Sequence, residues 1–310
     1  MRLIAAFLKL VRLPNLLFIA LAQLLFQFCI YHPLYKGTIP ENDLLHFLLL
    51  MFASMFIAAA GYIINDYFDI NIDEVNKPER MVVDRHIHRR WAIAWHFMLS
   101  TTGVILTVLA LPFAHKWYLI LANAGCVVLL WFYSTNFKKG LLFGNFVISL
   151  LTAWTILIIF FSKLSLADAT GSNGVAHAPF FRISFLYGGF AFIISLIREA
   201  VKDLEDIPGD QKYGCRTLPI VWGVNAAKLY SIIWIIILLG LLIVLQFYVM
   251  QFRWWGLIVY SLVLVVAPLI HILMQLSKPL NTAQYHRLSN WTKFVMLTGI
   301  LSMAFFYFYL

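Results

Sequence analysis

The sequence predicts an all-α integral membrane protein, and two observations support that prediction. The chain has 310 residues, of which 62% are hydrophobic and only 12% are charged, and its mean hydropathy is +0.85. Soluble domains carry about twice that share of charged residues. The apolar residues also recur in runs of roughly 18–22, the length of a helix that crosses the hydrocarbon core of a bilayer. We therefore expect one multi-pass membrane domain over residues 1–310.

Nine apolar runs are long enough to cross a membrane, which predicts a bundle of nine transmembrane helices. The predicted spans are residues 13–31, 44–64, 92–112, 117–135, 141–162, 180–200, 228–248, 254–276 and 291–310. Because nine is an odd number, the two ends of the chain are predicted to lie on opposite sides of the membrane.

The distribution of the basic residues predicts which side of the membrane faces the cytoplasm. Of the 23 Lys and Arg residues, 18 fall in the segments on the same side as the N-terminus. Basic residues concentrate on the cytoplasmic side of membrane proteins, so this side is predicted to be cytoplasmic in a cell or inner membrane. The net charge of +9 is spread over short loops. That distribution argues against a nucleic-acid partner, and no feature indicates a protein partner.

Six aspartates form two clusters with the same spacing, D-x-x-D-x-x-x-D, one after the second predicted span and one after the sixth. They are Asp66, Asp69, Asp73, Asp203, Asp206 and Asp210, and equivalent positions lie 137 residues apart. Carboxylates this close together repel one another unless a cation neutralises them. Oxygen ligands at this density are typical of Mg²⁺, which often binds substrate phosphates as well. All six are therefore predicted to be catalytic residues and metal ligands.

The two clusters are predicted to differ in local structure. The first has the i, i+3, i+7 spacing of one helix face, so its aspartates are expected on a helix that continues from the second span. In the second, Pro208-Gly209 is expected to end the helix, and Asp210 to return from a turn. The equal spacing also suggests two related halves, about 1–137 and 138–275, that face a shared cavity, with a ninth helix left over.

Basic residues lie close to both clusters and are predicted to bind substrate. They are Lys77, Arg80, Lys138, Arg198, Lys202 and Arg216. Mixed carboxylates and cations suit a diphosphate that is bound by Mg²⁺ on some oxygens and by Lys or Arg on others. The alternative for any one of these residues is contact with lipid headgroups on the cytoplasmic side.

With their neighbours, these motifs resemble the signatures of the UbiA-type membrane prenyltransferases. Residues 61–80 have the pattern G-Y-I-I-N-D-x-x-D-x-x-x-D-x-x-N-K-P-x-R, which resembles the first signature. Residues 202–210 have the pattern K-D-x-x-D-x-x-G-D, which resembles the second. Residues 12–15 and 133–145 are similar to two further regions of the family. Met81 departs from the pattern, since many members have proline there.

The resemblance implies a central cavity open to the membrane, dependence on Mg²⁺, and transfer of a prenyl group from an isoprenyl diphosphate to a lipophilic acceptor. It adds Asn15, Asn65 and Tyr133 to the predicted substrate-binding residues. In such a reaction the cations stabilise the leaving diphosphate, the allylic C–O bond ionises, and an acceptor atom captures the carbocation.

The second motif is most similar to the branch of that family that makes archaeal-type ether lipids. This implies geranylgeranyl diphosphate as donor and geranylgeranylglyceryl phosphate as acceptor, with Arg198 and Arg216 as candidates to bind the acceptor phosphate. An alternative is C-prenylation of an aromatic quinone precursor such as 4-hydroxybenzoate or a dihydroxynaphthoate. A secondary transporter is an alternative from another class, because acidic residues in membrane proteins often mark ion pathways.

Overall fold

The computed structural model describes residues 2–164, 174–278 and 280–310, and it confirms the predicted fold class. Within those ranges the regular elements are helices, and nine of them are long and apolar enough to span a membrane. These nine spans are Leu13–Leu34, Asp43–Phe68, Arg89–Ala110, Phe113–Thr135, Phe143–Lys163, His177–Glu205, Val224–Met250, Trp255–Leu276 and Thr282–Tyr309. A short helix, Arg2–Leu10, precedes the first span.

Several spans run past the boundaries that hydropathy predicts. The ninth begins at Thr282 instead of near residue 291, and the sixth continues to Glu205 instead of ending near residue 200. Hydropathy marks where the apolar stretch stops, whereas a helix continues until its backbone is capped. At the ninth span Asn281 supplies that cap, because its side chain accepts from the backbone N–H of Gln284 at 2.9 Å.

The second and sixth spans are the central helices of the bundle. The second packs along the third and fourth, and the sixth packs along the fifth, seventh and ninth. Gly103 brings the third span close to the second, because a Cβ at this position would lie 2.8 Å from a side-chain carbon of Ile57. The two acidic clusters begin on these two central helices, at the same end of the bundle, which we call the acidic end.

A cluster of fully buried aromatic rings closes the opposite end of the bundle. Phe180 packs against Phe26 and Phe160, with ring centroids 5.5 Å and 5.2 Å apart. Near them, Lys163 at the end of the fifth span forms a buried ion pair with Asp43 at the start of the second, at 2.5 Å.

The first acidic cluster does not lie on one unbroken helix, so that prediction is wrong in detail. The second span ends at Phe68, and a separate short helix, Ile70–Asn76, carries Asp73. Asp69 stands at the break, with φ −91° and ψ 0°. Its N–H still bonds to the carbonyl of Asn65 at 3.0 Å, so the chain changes direction without leaving this backbone group unpaired.

The second cluster breaks where the sequence predicts but continues differently. The sixth span ends at Glu205, and Asp210 lies on a second short helix, Ile207–Lys212, instead of in a turn. Pro208 is in the first turn of this helix, where its missing N–H would have had no partner within the helix. The two short helices pack against each other, which brings the acidic clusters together.

Candidate active site

A cavity of about 620 Å³ lies between the first, second, fourth, fifth, sixth and ninth spans. Its wall at the acidic end is densely charged, while most of the remaining wall is apolar. The cations of the wall are Lys9, Arg12, Lys77, Lys138, Arg198, Lys202 and Lys293. The acids of the wall are Asp66, Asp69, Asp73, Glu199, Glu205 and Asp206.

Arg12 holds the first aspartate. Its guanidinium donates to the carboxylate of Asp66 at 2.6 Å and lies 5.1 Å from the ring centre of Tyr62. The carboxylate of Asp66 raises the pKa of Arg12, against the opposing effect of burial. The backbone of Arg12 is left-handed, with φ 52°, which costs roughly 1–2 kcal/mol for a residue other than glycine. The tertiary structure therefore holds Arg12 in an otherwise unfavourable conformation beside the acid.

Asp69 is buried between an amide and an ammonium group. Asn65 donates to its carboxylate at 2.6 Å, and Lys138, from the segment between the fourth and fifth spans, forms an ion pair with it. Burial lowers the pKa of Lys138, but the neighbouring carboxylate of Asp69 outweighs this and raises the pKa above its ordinary value. Lys138 therefore stays charged inside the cavity.

Two residues that follow the first acidic cluster, Asn76 and Lys77, connect it directly to the second cluster. The ammonium group of Lys77 donates to both carboxylate oxygens of Asp206, at 2.6 Å and 2.9 Å. The side chain of Asn76 donates to the backbone carbonyl of Asp206 at 2.9 Å. The predicted proximity of the two acidic motifs is thus a direct contact.

The sixth span adds a buried carboxylate that the sequence did not single out. Glu199 is buried and bonds to Arg198 and to Lys202, both at 2.9 Å. Arg198 retains an unused donor, because its Nε is buried and has no hydrogen-bond partner among the residues that the structure describes. One guanidinium N–H beside the cavity is therefore unpaired, and a shift of the side chain would bring it to an anion in the cavity.

Asp203 is held from the fifth span. The side-chain amide of Asn145 donates to its carboxylate at 2.8 Å. Asp203 and Asp210 do not line the cavity as the other four aspartates do.

Asp73 and Asp210 are the two aspartates that lack a hydrogen-bond donor at the carboxylate, counted over the described ranges. Burial raises the pKa of Asp73 to about 6, and the carboxylate of Asp69 adds to the rise. Burial also raises the pKa of Asp210 to about 6, although Lys138 opposes it. A half-buried carboxylate (Asp73) and a buried one (Asp210), both without a donor and among further oxygen ligands, fit the requirements of a hard divalent cation.

The acidic side chains are not arranged as a finished metal cage. In the described part of the chain, no three Asp, Glu, His or Cys side chains are grouped closely enough to hold a metal ion. Three of the six aspartates, Asp66, Asp69 and Asp206, are instead paired with Arg12, Lys138 and Lys77, respectively. A cation entering this site would compete with these ammonium and guanidinium groups for the same carboxylate oxygens.

Of the other predicted substrate-binding residues, Asn15 and Tyr133 line the cavity. Arg216 does not: its side chain is exposed, and its backbone N–H bonds to the carbonyl of Lys139 at 2.8 Å. The side chain of Arg80 lies outside what the structure describes.

The structure adds Arg12, Asn76, Asn145 and Glu199 to the site. Arg12, Asn76 and Asn145 lie inside the segments that resemble the family's signatures. An uncharged amide or an isolated arginine, however, does not by itself indicate a functional site. Glu199 did offer a usable signal, since it precedes Asp203 by four residues and so shares its helix face.

In the described ranges, nine spans enclose a cavity that is charged at one end, the architecture expected of a membrane prenyltransferase. A model of the UbiA prenyltransferase family matches residues 28–294, and the chain belongs to this family. It is therefore a multi-pass membrane enzyme that transfers a prenyl group, and the transporter alternative is set aside.

Known proteins resemble this chain in sequence and in fold. A digeranylgeranylglyceryl phosphate synthase of Methanosphaera stadtmanae is 29% identical over 253 residues, which are 81% of this chain and 84% of the relative. A solved digeranylgeranylglyceryl phosphate synthase structure has a TM-score of 0.59 at 24% identity, covering 98% of this chain and 99% of the other. A UbiA homolog from Archaeoglobus fulgidus bound to DMAPP and Mg²⁺ has a TM-score of 0.51 at 16% identity, with coverage of 96% and 99%. The two structural likenesses show a shared fold.

Proposed function

We propose that this enzyme transfers a geranylgeranyl group from geranylgeranyl diphosphate to the glycerol hydroxyl of geranylgeranylglyceryl phosphate. The name of the Methanosphaera stadtmanae relative supports this choice of acceptor. The cavity supports it as well, because one end is densely charged and most of the remaining wall is apolar. A lipid with a phosphate head and an isoprenoid tail matches both parts of such a cavity.

The observation that carries the acceptor assignment is the unused Nε donor of Arg198. The cations that neighbour the aspartates, Lys77 and Lys138, are well placed to donate to the diphosphate of the donor substrate. Arg198 pairs with Glu199 instead, through a different nitrogen. A guanidinium with an unpaired N–H suits a second anion besides the diphosphate. A phosphate provides that anion in geranylgeranylglyceryl phosphate, and a carboxylate would provide it in the aromatic alternatives, so the choice between them rests on the name of the relative.

We also propose that the enzyme requires Mg²⁺, held by the six aspartates of the two clusters. Support comes from Asp73 and Asp210, the two aspartates whose carboxylates have no donor in the described ranges, and from the A. fulgidus homolog that is bound to DMAPP and Mg²⁺. When bound, the metal would neutralise charge on the diphosphate and so make it a better leaving group. The side chains themselves would orient the donor, and the ring of Tyr133 would stabilise the allylic cation.

The active-site end is proposed to face the cytoplasm. The support is the concentration of 18 of the 23 Lys and Arg residues in segments on that side of the spans.

Product analysis with a panel of acceptors tests the proposal. Purified enzyme would receive labelled geranylgeranyl diphosphate, Mg²⁺ and one of three acceptors: geranylgeranylglyceryl phosphate, 4-hydroxybenzoate or a dihydroxynaphthoate. We expect label to enter the glyceryl phosphate lipid. Geranylgeranylglycerol, which lacks the phosphate, is the matched control and should be a much poorer acceptor. Efficient prenylation of an aromatic acceptor, with the glyceryl phosphate ignored, would disprove the acceptor assignment while leaving prenyl transfer intact.

A further inference from the structure

The ninth span presents a polar face to the cavity along its first half. Four polar residues line the cavity at the three- to four-residue spacing of one helix face: His286, Ser289, Asn290 and Lys293. Apolar residues continue the same face beyond them: Met296, Ile300 and Met303. The ninth span therefore carries the same division as the cavity, with polar groups toward the acidic end and apolar groups further along.

Two contacts fix the register between the ninth span and the sixth. At the acidic end the ring of His286 lies 2.9 Å from the carboxylate of Glu205, the last residue of the sixth span. Toward the opposite end the hydroxyl of Ser302 lies 2.7 Å from that of Tyr187. The two helices are therefore antiparallel neighbours along this wall of the cavity.

This register places Lys293 opposite Arg198. Arg198 lies seven residues before Glu205 on the sixth span, and Lys293 lies seven residues beyond His286 on the ninth. Seven residues of helix rise about 10 Å, so the two basic residues leave their helices at about the same depth below the acidic end. Both line the cavity, and Arg198 has the unpaired Nε. Two facing helices thus bring one cation each to the same level of the wall.

The positive charge at this level exceeds the negative charge. Lys293 lies eleven residues beyond the start of the ninth span and is half-buried, and a charge at such a position in a membrane span typically serves a polar cavity or a ligand. Arg198 and Lys202 share the carboxylate of Glu199, to which both bond at 2.9 Å. Glu205, the other acid on the described part of these two spans that lines the cavity, lies about 10 Å of helix further toward the acidic end. Three cations and one carboxylate at one level suit an anionic ligand.

We propose that Lys293 and Arg198 together bind the anionic group of the acceptor, so that the ninth span selects acceptors with a charged head. This assignment rests on the proposed function, in which the donor diphosphate lies at the two acidic loops and the acceptor brings a second anion. The phosphate of geranylgeranylglyceryl phosphate is that anion, and the carboxylate of an aromatic acceptor would meet the same two cations. The apolar residues that follow Lys293 on the same helix face suit an isoprenoid chain attached to such a head.

The test compares two acceptors that differ only in the anion, geranylgeranylglyceryl phosphate and geranylgeranylglycerol. Their kcat/KM values would be measured with saturating geranylgeranyl diphosphate and Mg²⁺ in the wild type, Lys293→Met and Lys293→Arg. The wild type should prefer the phosphate, and this preference should fall at least about tenfold in Lys293→Met, because a charged hydrogen bond is lost. Lys293→Arg keeps the charge and should retain most of the preference. The KM for the donor should change by less than about twofold in both variants.

Arg287→Met is the matched control, because Arg287 is a basic residue of the same span that is exposed and does not line the cavity. It should keep the wild-type preference. Thermal stabilisation gives a second readout that needs no turnover. Geranylgeranylglyceryl phosphate alone should stabilise the wild type and Arg287→Met but not Lys293→Met, whereas geranylgeranyl diphosphate with Mg²⁺ should stabilise all three.

The acceptor assignment can fail without this inference. If an aromatic carboxylate proves to be the acceptor, the same comparison is made between 4-hydroxybenzoate and phenol, and Lys293→Met should again lose the preference for the anion. Lys293→Gln replaces Lys293→Met if the latter does not fold. A folded variant that keeps the wild-type preference for the anionic acceptor, or one that loses donor and acceptor affinity equally, would overturn the inference. A wild type that uses the charged and the neutral acceptor equally well would overturn it too.

Discussion

Gly209 lies so close to the side chain of Asn76 that a Cβ at this glycine would be 2.5 Å from the amide nitrogen. The same amide accepts the N–H of Gly209 at 2.8 Å and donates to the carbonyl of Asp206 at 2.9 Å. The side chain of Asn76, just after the first acidic cluster, thus fixes the backbone of the second cluster. The absence of a side chain at position 209 makes this contact possible.

We predict that Gly209→Ala impairs turnover because it separates the two acidic loops. A methyl group at this position cannot coexist with Asn76 where it stands, and a displacement of about 1 Å in a catalytic site can cost on the order of a hundredfold in rate. Steady-state kinetics would measure kcat/KM. Gly189→Ala is the control, since a Cβ there meets nothing within 4 Å. Wild-type kcat/KM in Gly209→Ala would show that the contact is dispensable.

We predict that the enzyme needs more Mg²⁺ at acidic pH. Without metal, Asp73 and Asp210 have pKa values of about 6, so both carboxylates become protonated as the pH falls through that value. Metal binds the ionised form, and its apparent affinity should fall by up to about tenfold per pH unit for each proton displaced. The Mg²⁺ concentration that gives half-maximal activity should therefore be much higher at about pH 5 than at about pH 7.5.

Asp73→Asn is the comparison for this pH effect, because it removes one of the two titrating groups. The variant should bind Mg²⁺ more weakly overall and show a shallower dependence on pH. A half-maximal Mg²⁺ concentration that does not change with pH in the wild type would show that these carboxylates are not metal ligands.

We predict that Arg198→Lys raises the KM for the acceptor more than the KM for the donor, by several-fold to about tenfold. Lysine keeps the charge but has one nitrogen in place of the planar three-nitrogen fork, so it cannot hold Glu199 and a phosphate on separate nitrogens as a guanidinium can. The reverse pattern would assign Arg198 to the donor. The same measurement on Arg216→Lys tests the prediction for Arg216, whose side chain is exposed and lies away from the cavity.

We predict that the acidic end of the bundle faces the cytoplasm. Single cysteines placed at Thr38 and at Gln211, both exposed, should be labelled from opposite sides of the membrane by an impermeant reagent. Gln211 should react only when the cytoplasmic face is accessible. Labelling of both positions from the same side would disprove the topology.

The sequence was sufficient to predict the bundle and the acidic site because both leave strong patterns. Nine apolar runs mark nine helices by length alone, and two copies of one aspartate spacing mark two equivalent loops. The break at Asp69 and the short helix Ile207–Lys212 were harder, because both depend on how the two short helices pack on one another. The relation between the halves 1–137 and 138–275 stays a prediction.

The partners of the acids could not be predicted because they come from distant parts of the chain. Arg12 precedes Asp66 by 54 residues, and Asn145 precedes Asp203 by 58. Nothing in the local sequence of either residue indicates such a partner. Trp154 and Asn123 are likewise ordinary members of apolar helices until the fold places them together in the cavity wall.

The most direct test of the central claim is turnover of geranylgeranyl diphosphate with Mg²⁺ and with excess chelator, in the wild type and in Asp66→Ala and Asp203→Ala. Glu74→Ala is the control, since Glu74 is an exposed acid beside Asp73. We expect activity to require the metal, to fall by at least about a hundredfold in both aspartate variants, and to persist in the control. Both variants should elute as folded protein. Full activity in chelator, or in either aspartate variant, would contradict a metal-dependent site built from the two acidic loops.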